Sequence, residues 1–327
     1  MANFLIIGGG SIGQRHIKNL QILGDHSIWV LKRYQDPSFE KEFNVAVLNS
    51  YVEAEKLGLD AIFICTPTSL HNEGLEWGIK NNLHVFMEKP LIHNSEGMQK
   101  AEALLSGYTG TFFIGFMLRY HPLVRRIKTL LNEKRLGEVY SARFEFGSYL
   151  PYWHPWEDYH ISYAARSELG GGVINTITHE LDLIQYFFGK PESVVCEARN
   201  LNRLKIDVEE VCEAIFGYRE KTVSLHLNYL QKDYDRNIKI RCDEGEILWD
   251  WHENKVIIQK HKEKPEAITI QEPFDVNGLY TEEVQHFLSL IESGTATHEL
   301  DGKHAVSNTE LMLKMHESSN TGQRIHT

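Results

Sequence analysis

The sequence predicts an α/β protein with two domains: a Rossmann-type, doubly wound parallel sheet over residues 1–118, and an α+β domain with a large, mostly antiparallel open sheet over 119–327. Three observations predict it. An apolar strand at the N-terminus runs directly into GGGSIG and an amphipathic helix. Short buried strands then alternate with helices. From about residue 119 the texture changes to longer runs that alternate apolar and polar residues.

Taken in order, NFLII (3–7) reads as a buried strand, and Ile17, Leu20 and Leu23 give the helix after the glycines its apolar face. HSIWVL (26–31), VAVL (45–48), DAIFICTP (60–67), LHVFMEKP (83–90) and TFFIGF (111–116) supply further strands, with HNEGLEWGIKNN and SEGMQKAEALL as helices between them. A helix over 122–132 precedes the strand-like runs VYSARFEFGSYL, SVVCEARNL, EVCEAIFGYRE, KTVSLHLNYL, RNIKIRC, GEILWDW and KVIIQK. Tight turns at 218–221 and 243–245 suit an antiparallel sheet with one face buried. GGGVINTITHELD (170–182) sits between the first of these strands and the rest, and helices near 280–293 and 302–318 close the chain.

The 327 residues, 42% hydrophobic and 24% charged, have the composition of a globular enzyme. A net charge of -11 with interspersed Lys and Arg argues against a nucleic-acid or anionic-membrane surface, leaving room only for a local basic pocket. Cys65, Cys196, Cys212 and Cys242 show no CxxC pairing and read as reduced thiols. No apolar run has bilayer length and no leader-like segment opens the chain, so the expectation is a soluble cytoplasmic protein.

Gly8-Gly9-Gly10-Ser11-Ile12-Gly13 fits G-x-G-x-x-G between strand and helix. Gly8 allows the tight turn, Gly10 lets backbone approach a pyrophosphate, and Gly13 permits close packing of the helix, whose N-terminus carries free amides. An NAD site would carry an acid at the end of the second strand. Here Leu31-Lys32-Arg33-Tyr34 stands instead, with no acid until Asp36, so Lys32 and Arg33 favour NADP slightly, unless they are merely solvated charges. Thr66, Pro67 and His71 of CTPTSLH, and Glu88 and Lys89 of EKP, fall at the carboxyl edge of the sheet, where cofactors lie. Lys89 there can donate to a hydroxyl and stabilise a developing alkoxide, or be a surface lysine beside a strand-ending proline.

GGGSIGQRH, CTPTSLH, MEKPL, GFMLRYHP and GGGVINTITHELD occur in an order and at spacings that resemble the Gfo/Idh/MocA oxidoreductase family. The resemblance extends over essentially the whole chain, to the terminal LDGKHAVSNTELMLKMHESSNTGQ. It implies NAD- or NADP-dependent oxidation or reduction of a sugar, cyclitol or related polyol, and a homodimer or homotetramer formed through the open sheet. It assigns Lys89 to the reacting hydroxyl and nicotinamide, makes His179 the catalytic acid/base, and puts Asn175 where many members carry Asp. A similar YLPYWHPWEDY loop marks a branch of the family associated with surface-carbohydrate and nonulosonic-acid pathways, which favours an amino sugar, sugar phosphate or nucleotide sugar over free inositol. The alternatives are an inositol or cyclitol dehydrogenase, or a nonenzymatic dinucleotide-binding sensor; retention of both Lys89 and His179 argues against the sensor.

The residues support this reading. Asn175, His179 and Asp182 are spaced to share one helical face, and a histidine can take the hydroxyl proton as hydride leaves carbon, although a hydrogen-bonded core histidine fits the pattern too. Asn175 can orient a sugar hydroxyl but cannot accept a proton or pair with Lys89. Tyr149, Trp153, Trp156 and Tyr159 offer faces to a sugar ring, and Arg166 a clamp for phosphate or carboxylate, unless the loop packs on a neighbouring subunit. HELD is not HExxH, and with His154 and His160 merely nearby no metal is expected.

Overall fold

In the computed structural model, which describes residues 1–270 and 274–327, the chain divides into two compact units. The first begins with β1 (Asn3–Ile7), α1 (Ser11–Leu23), β2 (Ser27–Leu31), α2 (Pro37–Phe43), β3 (Ala46–Leu48), α3 (Tyr51–Ala54), β4 (Ala61–Ile64), α4 (His71–Lys80), β5 (His84–Glu88), α5 (Ser95–Leu105) and β6 (Phe112–Gly115). The strands pair in parallel in the order β3-β2-β1-β4-β5-β6. β4 and β6 are buried at every residue because helices cover both faces of a parallel sheet, and this explains their unbroken apolar runs. The order reverses at β1, whose carboxyl end carries the glycine turn. The helices α2 and α3 lie outside the sequence expectation; their caps are local, Asp36 accepting from the Phe39 amide and Ser50 from the Glu53 amide.

The second unit contains α6 (Pro122–Asn132), β7 (Val139–Gly147), α7 (Val173–Thr176), α8 (His179–Phe188), β8 (Ser193–Arg199), β9 (Val211–Gly217), β10 (Thr222–Asn228), β11 (Asp235–Cys242), β12 (Gly245–Asp250), β13 (Lys255–Lys260) and β14 (Glu266–Thr269). They are followed in sequence by α9 (Val276–Ser293), α10 (Gly302–Thr321) and β15 (Ile325–His326). The sheet order is β14-β13-β12-β11-β7-β10-β9-β8-β15, antiparallel except where β10 runs parallel to β7. In β11 every second residue is buried, as the alternating sequence requires. Val195 and Ile215, opposite each other in the β8–β9 register, leave apolar surface on the other face. Cys65, Cys196, Cys212 and Cys242 are free thiols, all buried.

The units depart from the expected boundary at one place. The chain leaves the first unit after Met117, but Asp275–Thr309, expected within the second domain, clusters with the first. Its α9 supplies Phe287, whose ring meets those of Phe63, Phe86 and Phe113, and Asn277, whose amide donates to Asn19 Oδ1 at 2.9 Å and accepts from Arg15 at 3.3 Å. This segment completes the Rossmann core, a contact between residues too distant in sequence for local pattern to reveal. The structure also breaks the single helix expected over 175–182 into α7 and α8. Asn175 Nδ2 donates to the Gly171 carbonyl at 2.9 Å and Thr176 Oγ1 to that of Gly172, and the break follows them at Ile177, whose backbone leaves the helical region at ψ 56°.

Candidate functional site

At the end of β1 the backbone turns through Gly8, at φ +104°, where a Cβ would lie 2.8 Å from the Cys65 carbonyl oxygen. Gly13 is equally constrained, since a Cβ there would lie 2.1 Å from the Gly8 oxygen, so α1 can approach the turn only with glycine. Gly10 differs: it caps α1, is exposed, and has nothing within 4 Å of where a Cβ would point. Ser11 is exposed and Ile12 half-buried at the start of α1. An open glycine at the N-terminus of a 13-residue helix with no side-chain cap is a cradle for an anion. Across the sheet edge Thr66 and Pro67 are half-buried, and the buried Thr66 Oγ1 has no protein partner. Both observations fit a dinucleotide.

Lys32 is less available than expected. Its Nζ donates to Asp36 Oδ2 at 2.6 Å and lies 3.9 Å from the Phe39 ring centroid. Asp36 also accepts from Ser38 Oγ at 2.7 Å, and the bond from Lys32 chiefly holds its carboxyl down at about 2. Arg33 is exposed.

The EKP turn follows β5, with Lys89 half-buried and a cis bond to Pro90. Two histidines hold this turn. Glu88, 8% exposed, accepts from His16 Nε2 of α1 at 2.7 Å. His71 at the start of α4 places Nδ1 3.1 Å from the Leu91 carbonyl oxygen and Nε2 3.0 Å from that of Thr66. Burial pushes the His71 pKa down, so the neutral ring donates through one nitrogen at a time. The side chains of Glu88 and His71, expected at the cofactor, are thus turned to the protein.

In the second unit the triple glycine is filled by protein. A Cβ on Gly171 would lie 2.4 Å from the Tyr163 carbonyl oxygen, and one on Gly172, at φ +108°, 2.4 Å from Glu209 Oε1. Glu209 receives the Ile174 amide on Oε1 at 3.1 Å and the Val173 amide on its main-chain oxygen at 3.2 Å. Burial raises its carboxyl to about 7. His179 opens α8 and is 8% exposed. Asn175, 6% exposed, spends both polar atoms on protein: beyond the bond to Gly171, its Oδ1 accepts from His316 Nε2 at 2.8 Å.

Asp182 is not placed as a substrate ligand. Fully buried, it accepts from Arg119 Nε at 2.9 Å and Nη2 at 2.7 Å, a two-bonded fork that leaves its carboxylate committed. Beside it Glu180 accepts from Arg236 Nε at 2.6 Å, also buried. In the aromatic loop Trp153 donates to Ser148 Oγ at 2.9 Å and packs edge-on to Tyr229, while the Tyr159 hydroxyl donates to the Leu204 carbonyl at 3.0 Å. Tyr149 is half-buried and Trp156 is 76% exposed. Arg166 Nη2 is ion-paired with Glu168. Among the described residues no cluster of His, Cys, Asp and Glu could hold a metal, and no helix is long and apolar enough to cross a membrane.

Sequence reasoning missed His16, Arg119, Glu209 and His316. His16 and Arg119 lie inside quoted motifs, GGGSIGQRH and GFMLRYHP, so the motifs marked them without explaining them. Glu209 and His316 carry no local signal, because each acts through residues more than thirty positions away.

Family models match both parts of the chain. Residues 2–116 match the oxidoreductase family with NAD-binding Rossmann fold, and 124–248 the GFO/IDH/MocA C-terminal domain. An uncharacterised oxidoreductase of Bacillus subtilis is 27% identical over 190 residues, 56% of this chain and 53% of its own, so this chain spans only about half the length of that relative. A myo-inositol 2-dehydrogenase of Thermotoga maritima is 24% identical over 324 residues, 92% of each chain. A solved levoglucosan dehydrogenase, in complex with NADH and levoglucosan, superposes with a TM-score of 0.88 at 15% identity, covering 99% of both chains, a likeness of fold.

Proposed function

The chain belongs to the Gfo/Idh/MocA oxidoreductase family, and we propose that it moves hydride between a nicotinamide dinucleotide and a ring carbon bearing a hydroxyl in a neutral sugar or cyclitol. The observation that carries this reading is the open Gly10 cradle at the head of α1 on the same sheet edge as Lys89. Gly8, Gly10, Ser11, Ile12 and Gly13 would hold the pyrophosphate with main-chain amides, and Thr66 Oγ1 would find in the dinucleotide the partner it lacks. NAD suits the second strand better than the NADP favoured by its sequence: the Lys32 charge is matched by Asp36, whose carboxylate would repel a 2′-phosphate.

The nicotinamide, when bound, accepts or returns the hydride. Lys89 donates a hydrogen bond to the reacting oxygen and stabilises charge as it develops there; His179 takes the hydroxyl proton in oxidation and gives it back in reduction. Tyr149, Trp153, Trp156 and Tyr159 belong to the loop expected to face the ring. Arg166 is paired with Glu168 at the surface, so a sugar phosphate or nucleotide sugar would have to displace that carboxylate, which a neutral polyol would not. Asn175 then braces the glycine turn, with both polar atoms committed to it and to His316. The full-length likeness to a myo-inositol 2-dehydrogenase supports the cyclitol option. The exposed Val195 and Ile215 support self-association through the open sheet.

A panel of inositols, free sugars, sugar phosphates and nucleotide sugars, followed by absorbance of reduced nicotinamide with NAD and NADP, tests the reading. At least one neutral polyol should turn over, with NAD preferred, and Lys89→Ala and His179→Ala should each lower kcat about a hundredfold or more. Tight NADH binding with no turnover of any compound in either direction would overturn it.

A further inference from the structure

We propose that His16 and Glu88 form a positioning pair that registers Lys89 against the nicotinamide half of the dinucleotide, with Glu88 making no contact to the ligand itself. The proposal rests on the dinucleotide reading above.

Glu88 ends β5 and is bonded through its peptide to Lys89. A carboxylate this enclosed needs a compensating donor, and the one it is given is His16 Nε2 at 2.7 Å, from an imidazole that is fully buried. A carboxylate only accepts, so the bond fixes the Nε2–H tautomer of His16, and Nδ1 faces no protein partner. Aromatic rings supply the remaining restraint: Phe63 at 5.4 Å and Phe86 at 4.9 Å, centroid to centroid, wall the imidazole on two sides. The low local polarity strengthens the bond and leaves neither partner an alternative orientation.

The chain positions of the two residues give the bond its meaning. His16 is the sixth residue of α1, the helix that opens on the Gly10 cradle, and Glu88 is the last strand residue before Lys89. The bond therefore ties the element that would hold the pyrophosphate to the element that carries the lysine. His71 pins the far side of the same turn by its contacts with Leu91 and Thr66. Residues 88–91 are held at both ends, each time by a histidine from a helix starting at the carboxyl edge of the sheet. A lysine has four rotatable side-chain bonds, so placing its ammonium requires at least a fixed main chain.

Calorimetric affinities for NADH and for ADP-ribose, which lacks the nicotinamide, test the proposal. His16→Ala and Glu88→Ala should each weaken NADH about tenfold more than ADP-ribose, and the double variant should be no worse than the poorer single. Glu88→Gln, which keeps an acceptor for His16, should stay within about threefold of the parent. Because truncation of a buried pair can unfold the chain, the double variant His16→Phe with Glu88→Leu serves as the folded control. It should melt cooperatively near the parent temperature yet lose the preference for NADH over ADP-ribose. If that folded variant keeps the preference, or if all variants weaken both ligands equally, the proposal is wrong. The readout needs no sugar, so a chain that turns over no polyol but shows the contrast would refute the proposed reaction and retain the pair; turnover without the contrast would do the reverse.

Discussion

Two triple glycines, Gly8-Gly9-Gly10 and Gly170-Gly171-Gly172, head a helix in each unit, and the last glycine of each run, at the start of its helix, has opposite surroundings. In the first, Gly10 faces open space at the N-terminus of a 13-residue helix. In the second, Gly171 is pressed against the Tyr163 and Ala164 carbonyls, Gly172 against the Glu209 carboxyl, and the helix that follows has four residues, all buried. The difference teaches that a glycine run reports only a backbone without side chains. What occupies the vacated volume, ligand or protein, decides its role.

Gly171→Ala should have the largest effect. Its Cβ would meet two main-chain carbonyl oxygens at 2.4 and 2.7 Å, atoms that cannot swing aside. A loss of about 3 kcal/mol or more in denaturant unfolding is expected, with ADP-ribose affinity unchanged in the protein that remains folded. Unaltered stability would mean that the second turn is as open as the first.

How much of this was legible follows from the same contrast. The first turn was readable because strand, glycine motif and helix are contiguous, and the periodicity of β1, β4, β5 and β6 is a local property of their residues. The second was readable only as a turn before a helix. Its filling comes from Tyr163, Ala164 and Glu209, and its helix ends at Ile177, whose backbone leaves the helical region at ψ 56°. A spacing rule placed Asn175, His179 and Asp182 on one face, but cannot foresee that break or that Arg119 claims Asp182. The return of 275–309 to the first unit was hidden for a similar reason: the partners of Asn277 are Arg15 and Asn19, more than 250 positions earlier.

A second prediction concerns the carboxyl inside the second turn. Glu209 is raised from an ordinary 4.5 to about 7, so between those values the folded chain holds a proton that the unfolded chain has released. Stability is therefore fully present below about pH 4.5 and falls as pH rises to about 7, by about 2 kcal/mol once partial solvent screening is allowed for. Glu209→Gln, neutral throughout, should flatten this part of the stability profile and be the more stable protein at about pH 8. An unchanged slope in the variant would place the titrating group elsewhere.

The claim that the first glycine turn is open for a ligand and the second filled by protein is tested most directly by Gly10→Ala, measured by calorimetric NADH titration alongside thermal melting. The added methyl meets no protein atom within 4 Å, and the backbone there, at φ -71°, suits alanine. The melting temperature should stay within about 2 °C of the parent while NADH affinity falls about tenfold, or about 1.4 kcal/mol. Unchanged NADH affinity in the variant would contradict the claim.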